Sequence, residues 1–140
     1  MSRPDSIVPG SMPGSLVRVF VYGTLKPGGR YHQKFCAQYL VAVCSGQIRG
    51  QLYDLPDRGY PAAVWGDGWV QGYLLTLRCQ ALAGLDWLEG YSSTATANEY
   101  ERCQTEVFDP QKNSLGQAWV YVMTALPQSA QWLPGGCWSG

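Results

Sequence analysis

The chain has 140 residues, of which 46% are hydrophobic and 14% are charged, and its ten basic and ten acidic side chains give zero net charge. Such a balance excludes the dense basic surface of a non-specific nucleic-acid binder, and no apolar run approaches the roughly 20 residues that a membrane span requires. The five cysteines include no Cys-x-x-Cys pair, so they indicate neither a zinc site nor a redox motif. Scattered reduced thiols in a cytoplasmic protein account for them better.

The N-terminal segment differs in composition from the rest of the chain. Residues 1–15 carry Pro4, Pro9 and Pro13 among serines and glycines, and they lack a continuous apolar stretch. This composition predicts a flexible tail and not a secretory signal. The remainder is long enough for one continuous core without disulfides. We therefore expect a tail over 1–15 and a single domain over 16–140.

The first predicted element is a buried strand that ends in a glycine loop. Apolar residues occupy both faces of the extended segment 17–22. Gly23 then permits a sharp turn, and the proline and glycines of 26–29 keep the chain irregular. After a buried strand, backbone N–H groups can face a ligand instead of a neighbouring strand. The segment is therefore either an ordinary strand-to-loop junction or a ligand-binding loop.

The following elements are short and mostly extended. The pattern predicts, in chain order, a helix over 31–40, a strand over 46–55, a hairpin of strands 60–65 and 69–77 around Gly66-Asp67-Gly68, a helix from about Gln80, strands over 100–108 and 118–124, and a coil over 126–140 that is packed by its tryptophans. About six strands with two short helices indicate an α+β fold. Glycines within the strands favour a small mixed β-barrel or a strongly curled sheet, since glycine permits the bends that closure needs.

The second helix ends in a glutamate at the edge of its apolar stripe. Leucines recur at helical spacing over 82–88, and Gly90 is able to end the helix. Glu89 follows Leu85 by four residues, which places it beside the leucines. A carboxylate at this edge lies either at the rim of the core or inside a pocket. The alternative is a glutamate that reaches solvent, and it is weakened because a carboxylate is electrostatically unfavourable in a last turn. Asp86 is expected to face solvent.

Three other chemistries are weaker interpretations of the same residues. His32 and Cys36 are four residues apart, but a thiol–imidazole nucleophile also needs an orienting group and an oxyanion site. The glycine loop lacks the Gly-Lys-Ser/Thr of a nucleotide P-loop. Asp86 and Glu89 could be paired carboxylates for glycoside chemistry, which the expected exposure of Asp86 disfavours.

The loop and the second helix together resemble the gamma-glutamyl cyclotransferase-like family, in its gamma-glutamylamine cyclotransferase and avirulence-induced-gene-like branch. The resemblance runs from about residue 17 to about residue 124. The matching residues are Tyr22-Gly23-Thr24-Leu25 with Lys26-Pro27-Gly28, His32, Gly59-Tyr60-Pro61-Ala62-Ala63, Leu85-Asp86-Trp87-Leu88-Glu89-Gly90-Tyr91 and Tyr100-Glu101-Arg102. The tetrapeptide loop alone is weak evidence, and its pairing with a leucine helix that ends in Glu-Gly-Tyr is fairly specific.

The resemblance implies a compact mixed β-barrel in which the glycine loop and Glu89 meet at one cavity. It also implies a monomeric or homodimeric enzyme that releases 5-oxoproline from a small γ-glutamyl amine or amide, without metal or cofactor. Glu89 would be the acid/base, with a pKa that burial beside leucines raises toward neutrality. The implied substrate-binding residues are Tyr22, Gly23, Thr24, Leu25, Tyr100 and Arg102, the last two in a supporting role. The alternative is a non-catalytic small-molecule binding domain with the same cavity.

Overall fold

The computed structural model describes residues 15–139. The predicted tail over 1–15 lies outside the described residues, apart from its last residue. The elements of the described part are β1 (Leu16–Val21), α1 (His32–Phe35), a 3₁₀ turn (Ala37–Tyr39), β2 (Leu40–Leu55), β3 (Tyr60–Arg78), α2 (Ala81–Glu89), β4 (Glu101–Phe108), β5 (Ser114–Val122) and β6 (Gln131–Trp132). None of the helices within 15–139 is long and apolar enough to cross a membrane.

The strands form one strongly curled sheet. Their order is β3-β1-β5-β4-β2-β6, and β2 also pairs with β3 along most of its length. Since β3 stands at one end of this order and β2 near the other, their pairing bends the sheet back on itself. The predicted α+β fold with a curled sheet of about six strands and short flanking helices is confirmed.

Strand β1 is buried on both faces and separates two hydrophobic clusters. Val17, Val19 and Val21 belong to a cluster that also contains leucines of α2. Phe20 and Tyr22 belong to a second cluster, to which residues of β2, β3, β4 and β5 contribute. Burial of alternate residues on opposite faces fixes the direction of the strand. The loop that follows β1 therefore starts from a rigid position.

The predicted hairpin around residues 66–68 is wrong. Residues 60–78 form the single strand β3, and its two halves pair with β2 and not with each other. Arg49 pairs with Trp69 and Gln51 with Val64, so residues 65–68 are an extra stretch opposite Gly50. Gly68 allows the backbones of β3 and β2 to approach closely, since a Cβ there would lie 2.9 Å from the carbonyl oxygen of Gly50. The turn between the long strands lies at 56–59.

Two further elements differ from the sequence prediction. The helix expected over 31–40 is a short α1 followed by a 3₁₀ turn, after which β2 already begins at Leu40. The coil expected over 126–140 contains β6, which pairs with β2 through Tyr53 and Trp132. Of its tryptophans, Trp138 is buried and Trp132 is exposed. The C-terminal segment therefore adds a strand to the sheet as well as packing on it.

Candidate active site

A pocket of about 270 Å³ lies between the loop after β1 and the C-terminal end of α2. The lining includes most of the site residues predicted from the sequence, namely Tyr22, Gly23, Thr24, Leu25, Glu89 and Tyr100. Arg102 is not among the lining residues. The fold thus brings the glycine loop and Glu89 to one cavity, although they are far apart in the sequence.

The start of the loop is held by Tyr22 and Gly23. The Tyr22 hydroxyl accepts a hydrogen bond from the Ala63 N–H at 3.1 Å and donates one to the Tyr121 carbonyl oxygen at 2.7 Å. Gly23 packs against the ring of Pro61 so closely that a Cβ would lie 2.8 Å from two ring carbons. The need for glycine here is steric and comes from a neighbouring strand, because a Cβ at this distance forces a shift.

The backbone of the loop leaves donors available in the pocket. The carbonyl groups of Gly23, Thr24 and Leu25 accept hydrogen bonds of 2.8 to 3.1 Å from residues further along the chain. The N–H groups of the same three residues donate to no acceptor within 15–139. Consecutive free N–H groups favour an anionic partner. The loop is therefore suited to bind a carboxylate or an oxyanion.

Glu89 is the last residue of α2 and faces this loop across the pocket. Gly90 ends the helix in a left-handed conformation, with φ of 70°. Burial raises the pKa of Glu89 to about 7, and the negative charge of Glu99 contributes to the rise. Among residues 15–139, no side chain forms a hydrogen bond or an ion pair with the Glu89 carboxyl group. A partnerless carboxyl with this pKa is able both to accept and to return a proton near neutral pH.

Asp86 was predicted to face solvent, and this prediction is wrong because Asp86 forms an ion pair with Arg102. The Arg102 guanidinium donates to Asp86 at 2.8 Å, and the Tyr121 hydroxyl donates to the other carboxylate oxygen at 2.7 Å. The same guanidinium lies over the rings of Tyr91 and Trp119, at 5.1 and 4.6 Å. Arg102 therefore anchors α2 through Asp86 and contacts the pocket only through its neighbours.

The pocket mouth contains charged residues that sequence reasoning missed. Arg58 and Glu99 form an ion pair of 3.3 Å, and their side chains are 41% and 38% exposed. The Tyr60 hydroxyl donates a short hydrogen bond to the same Glu99 oxygen. Arg30 donates to the Gly59 carbonyl oxygen at 3.1 Å. Both residues could have been identified from the sequence, because Arg58 precedes the Gly59-Tyr60-Pro61 motif and Glu99 precedes Tyr100.

The geometry disfavours a thiol–imidazole nucleophile formed by Cys36 and His32. The His32 imidazole donates from Nδ1 to the Leu25 carbonyl oxygen at 2.8 Å, which commits it to the loop. Burial and the charge of Glu89 raise the pKa of the Cys36 thiol to about 12. In the described part of the chain, no group of three His, Cys, Asp or Glu side chains is placed to hold a metal ion.

Known proteins share this curled-sheet fold. The family model for gamma-glutamyl cyclotransferase, AIG2-like, matches residues 19–140. The chain belongs to this family.

Individual relatives agree with this assignment. A gamma-L-glutamyl-butirosin B gamma-glutamyl cyclotransferase of Niallia circulans is 30% identical over 104 residues, covering 74% of this chain and 65% of that enzyme. The chain thus spans slightly less than two thirds of that relative. The ytfP protein of Escherichia coli is 31% identical with a TM-score of 0.56, over 87% of this chain and 96% of that one. A mouse AIG2-like protein, at 22% identity and a TM-score of 0.63 over 81% of this chain and 80% of that one, shows the shared fold alone.

Proposed function

We propose that the protein is a cyclotransferase that releases 5-oxoproline and a free amine from a γ-glutamyl amine or amide. One observation carries the proposal. Glu89, with a pKa raised to about 7 and no partner within 15–139, lines the same pocket as three loop residues with free N–H groups. A proton-exchanging group and an anion-binding loop are the two parts that this reaction needs from a protein.

The reaction uses a nucleophile that the substrate itself carries. The α-amine nitrogen forms a bond to the γ-carbonyl carbon, and the bond from that carbon to the leaving nitrogen breaks. The α-ammonium loses two protons as it becomes the lactam N–H, one before the attack and one after it. Glu89 passes both to the departing nitrogen, which leaves as an ammonium, so that the carboxyl group ends in its starting state. Intramolecular attack asks the enzyme mainly to hold the reactive conformer. No metal or cofactor enters this scheme.

The remaining site residues have distinct roles in the proposal. The N–H groups of Gly23, Thr24 and Leu25 bind the substrate carboxylate or the oxyanion. Tyr100 shapes the wall, because its hydroxyl already donates to the Pro61 carbonyl oxygen at 2.6 Å. Arg102 supports the helix that carries Glu89. The single domain over 16–140, the cytoplasmic location and the monomeric or homodimeric state stay predictions.

Mass spectrometry tests the reaction directly. The wild-type protein and the variant Glu89→Gln are incubated with a panel of γ-glutamyl amines, γ-glutamyl amides and γ-glutamyl amino acids. We expect 5-oxoproline from at least one class with the wild type and none above background with the variant. Binding of these compounds without any 5-oxoproline would instead support the non-catalytic binding domain.

A further inference from the structure

A second carboxylate stands close to the end of α2, and its position is built by several contacts. Glu99 packs directly against Gly90, where an added Cβ would lie 3.3 Å from both Cβ and Oε1 of Glu99. Arg58 and Tyr60 both bind its Oε2 atom. Glu99 also lines the pocket that contains Glu89. A glutamate bound at one oxygen by an arginine and a tyrosine is fixed in place and not a free surface charge.

The chain on either side of Glu99 is anchored as well. The Asn98 amide bonds the backbone N–H and carbonyl groups of Ser92 at 3.0 and 3.2 Å, which closes the segment between them. The next residue, Tyr100, is buried and bonded to Pro61. The backbone therefore presents Glu99 to the helix end in a defined position.

We propose that Glu99 is a positioning residue of the proposed cyclotransferase: Arg58 and Tyr60 hold its carboxylate beside the end of α2, where its negative charge acts on Glu89. This inference rests on the proposed function for its catalytic meaning. The physical link between the two carboxylates can be measured without turnover.

Among the described residues that line the pocket with Glu89, Glu99 is the other carboxylate. Four further titratable neighbours are buried, and burial raises the pKa of each phenol and thiol, so they stay neutral; they are Tyr22, Cys36, Tyr100 and Tyr121. His32 is bound to the loop carbonyl. The cations of the pocket are Arg30, which bonds Gly59, and Arg58, which is paired with Glu99 itself.

The sign of the effect follows from like-charge repulsion. Glu99 disfavours the ionised form of Glu89 and so raises its pKa, in addition to the larger effect of burial. A more basic Glu89 carboxylate removes the α-ammonium proton more readily. Arg58 offsets part of the Glu99 charge, so the Arg58–Glu99 pair determines how much this repulsion raises the pKa of Glu89.

Two substitutions with opposite predicted signs test the link. Glu99→Gln removes the repelling charge and leaves Arg58 uncompensated, so Glu89 should titrate at lower pH, by about half a unit or more. Arg58→Gln removes the compensating cation, so Glu89 should titrate at higher pH. The matched control is Glu101→Gln, since Glu101 is a nearby glutamate that bonds Asn98 and does not line the pocket. It should leave the titration unchanged.

The titration is followed in the full chain by carbon-13 NMR of the glutamate carboxyl groups. The Glu89 signal is assigned as the one absent from Glu89→Gln. The pH profile of kcat/KM on a turned-over substrate is the second readout, and its acid limb should shift in the same directions. An unchanged Glu89 titration in folded Glu99→Gln protein would overturn the inference, even if the wild type releases 5-oxoproline. Shifted titrations without turnover in any variant would support the link between the carboxylates and remove the proposed function instead.

Discussion

Helix α2 carries two carboxylates one turn apart, Asp86 and Glu89, and their surroundings differ. Asp86 accepts hydrogen bonds from Arg102 and Tyr121, which satisfy both of its oxygens. Glu89 has no such partner within 15–139 and faces the free N–H groups of the loop. Full pairing favours a structural role, whereas burial without a partner favours proton exchange. Position on the helix alone does not distinguish the two.

The strongest test of this contrast is the loss of catalysis in Glu89→Gln. The amide is nearly isosteric and cannot accept and return a proton. We expect turnover to fall by roughly 10²-fold or more while the fold is kept. Steady-state rates of 5-oxoproline release, with circular dichroism as the folding control, measure this. A wild-type rate in the variant would mean that Glu89 is structural.

The loop side of the pocket predicts a contrast between adjacent residues. A side chain at Gly23 would collide with Pro61, where even a Cβ would be 2.8 Å from the ring. We expect Gly23→Val to abolish ligand binding through displacement of the loop. Thr24→Ala removes a hydroxyl and no backbone N–H, so binding should weaken by only about 1 kcal/mol.

Isothermal titration calorimetry with a γ-glutamyl ligand compares these two loop variants, and thermal melting verifies that both are folded. Normal binding by folded Gly23→Val protein would move recognition away from the loop.

The Asp86 region should show the opposite profile, with a stability defect and retained chemistry. Asp86→Asn leaves Arg102 without its counter-charge. The new amide NH2 group also cannot accept a hydrogen bond, so either Arg102 or Tyr121 loses its acceptor. The side chains of this ion pair are 17% and 23% exposed, so we expect a loss of roughly 2 kcal/mol in the free energy of unfolding.

Urea unfolding measures the Asp86→Asn effect, and Glu89→Gln is the matched amide variant on the same helix. The rate of 5-oxoproline release should fall by less than about tenfold in Asp86→Asn, because the proton-exchanging group is intact. An Asp86→Asn protein as stable as the wild type would contradict the structural assignment of Asp86.

The raised pKa of Glu89 also predicts how the stability of the protein depends on pH. Because the pKa of Glu89 is raised from 4.5 to about 7 in the folded protein, the folded state binds this proton more tightly than the unfolded state. The stabilisation is complete below about pH 4.5 and is lost as the pH rises through 7. Relative to Glu89→Gln, the wild type should lose roughly 2 to 3 kcal/mol between pH 5 and pH 8. Parallel urea-unfolding free energies for the two proteins would contradict the raised pKa.

Local patterns in the sequence predicted the pocket side of α2 well. The alternating apolar strand, the glycine after it and the leucine spacing before Gly90 are all short-range signals. They were sufficient to predict β1, the loop, the helix end and the two alternative positions of Glu89, at the rim of the core or inside a pocket. The resemblance to the family linked these two segments, which no local pattern could do.

Long-range pairing explains what the sequence did not predict. Asp86 was expected in solvent because Arg102 and Tyr121 come from strands 16 and 35 residues later in the chain. The Gly66-Asp67-Gly68 segment resembles a tight turn, but pairing of both halves of β3 with β2 decides its conformation. Arg58 and Glu99 are single charges in loops, and only the fold brings them together.

The hydroxyl of Tyr22 has a consequence for how different substrates are accommodated. Its donor and its acceptor are both committed to the backbone of other strands, through Ala63 and Tyr121. The loop is therefore preorganised, and binding to it costs little conformational entropy but leaves no freedom to reshape. Under the proposed function, that rigid end recognises the constant γ-glutamyl part of each substrate. Differences among leaving amines then fall on the half-exposed side of the pocket, which Arg58 and Glu99 line.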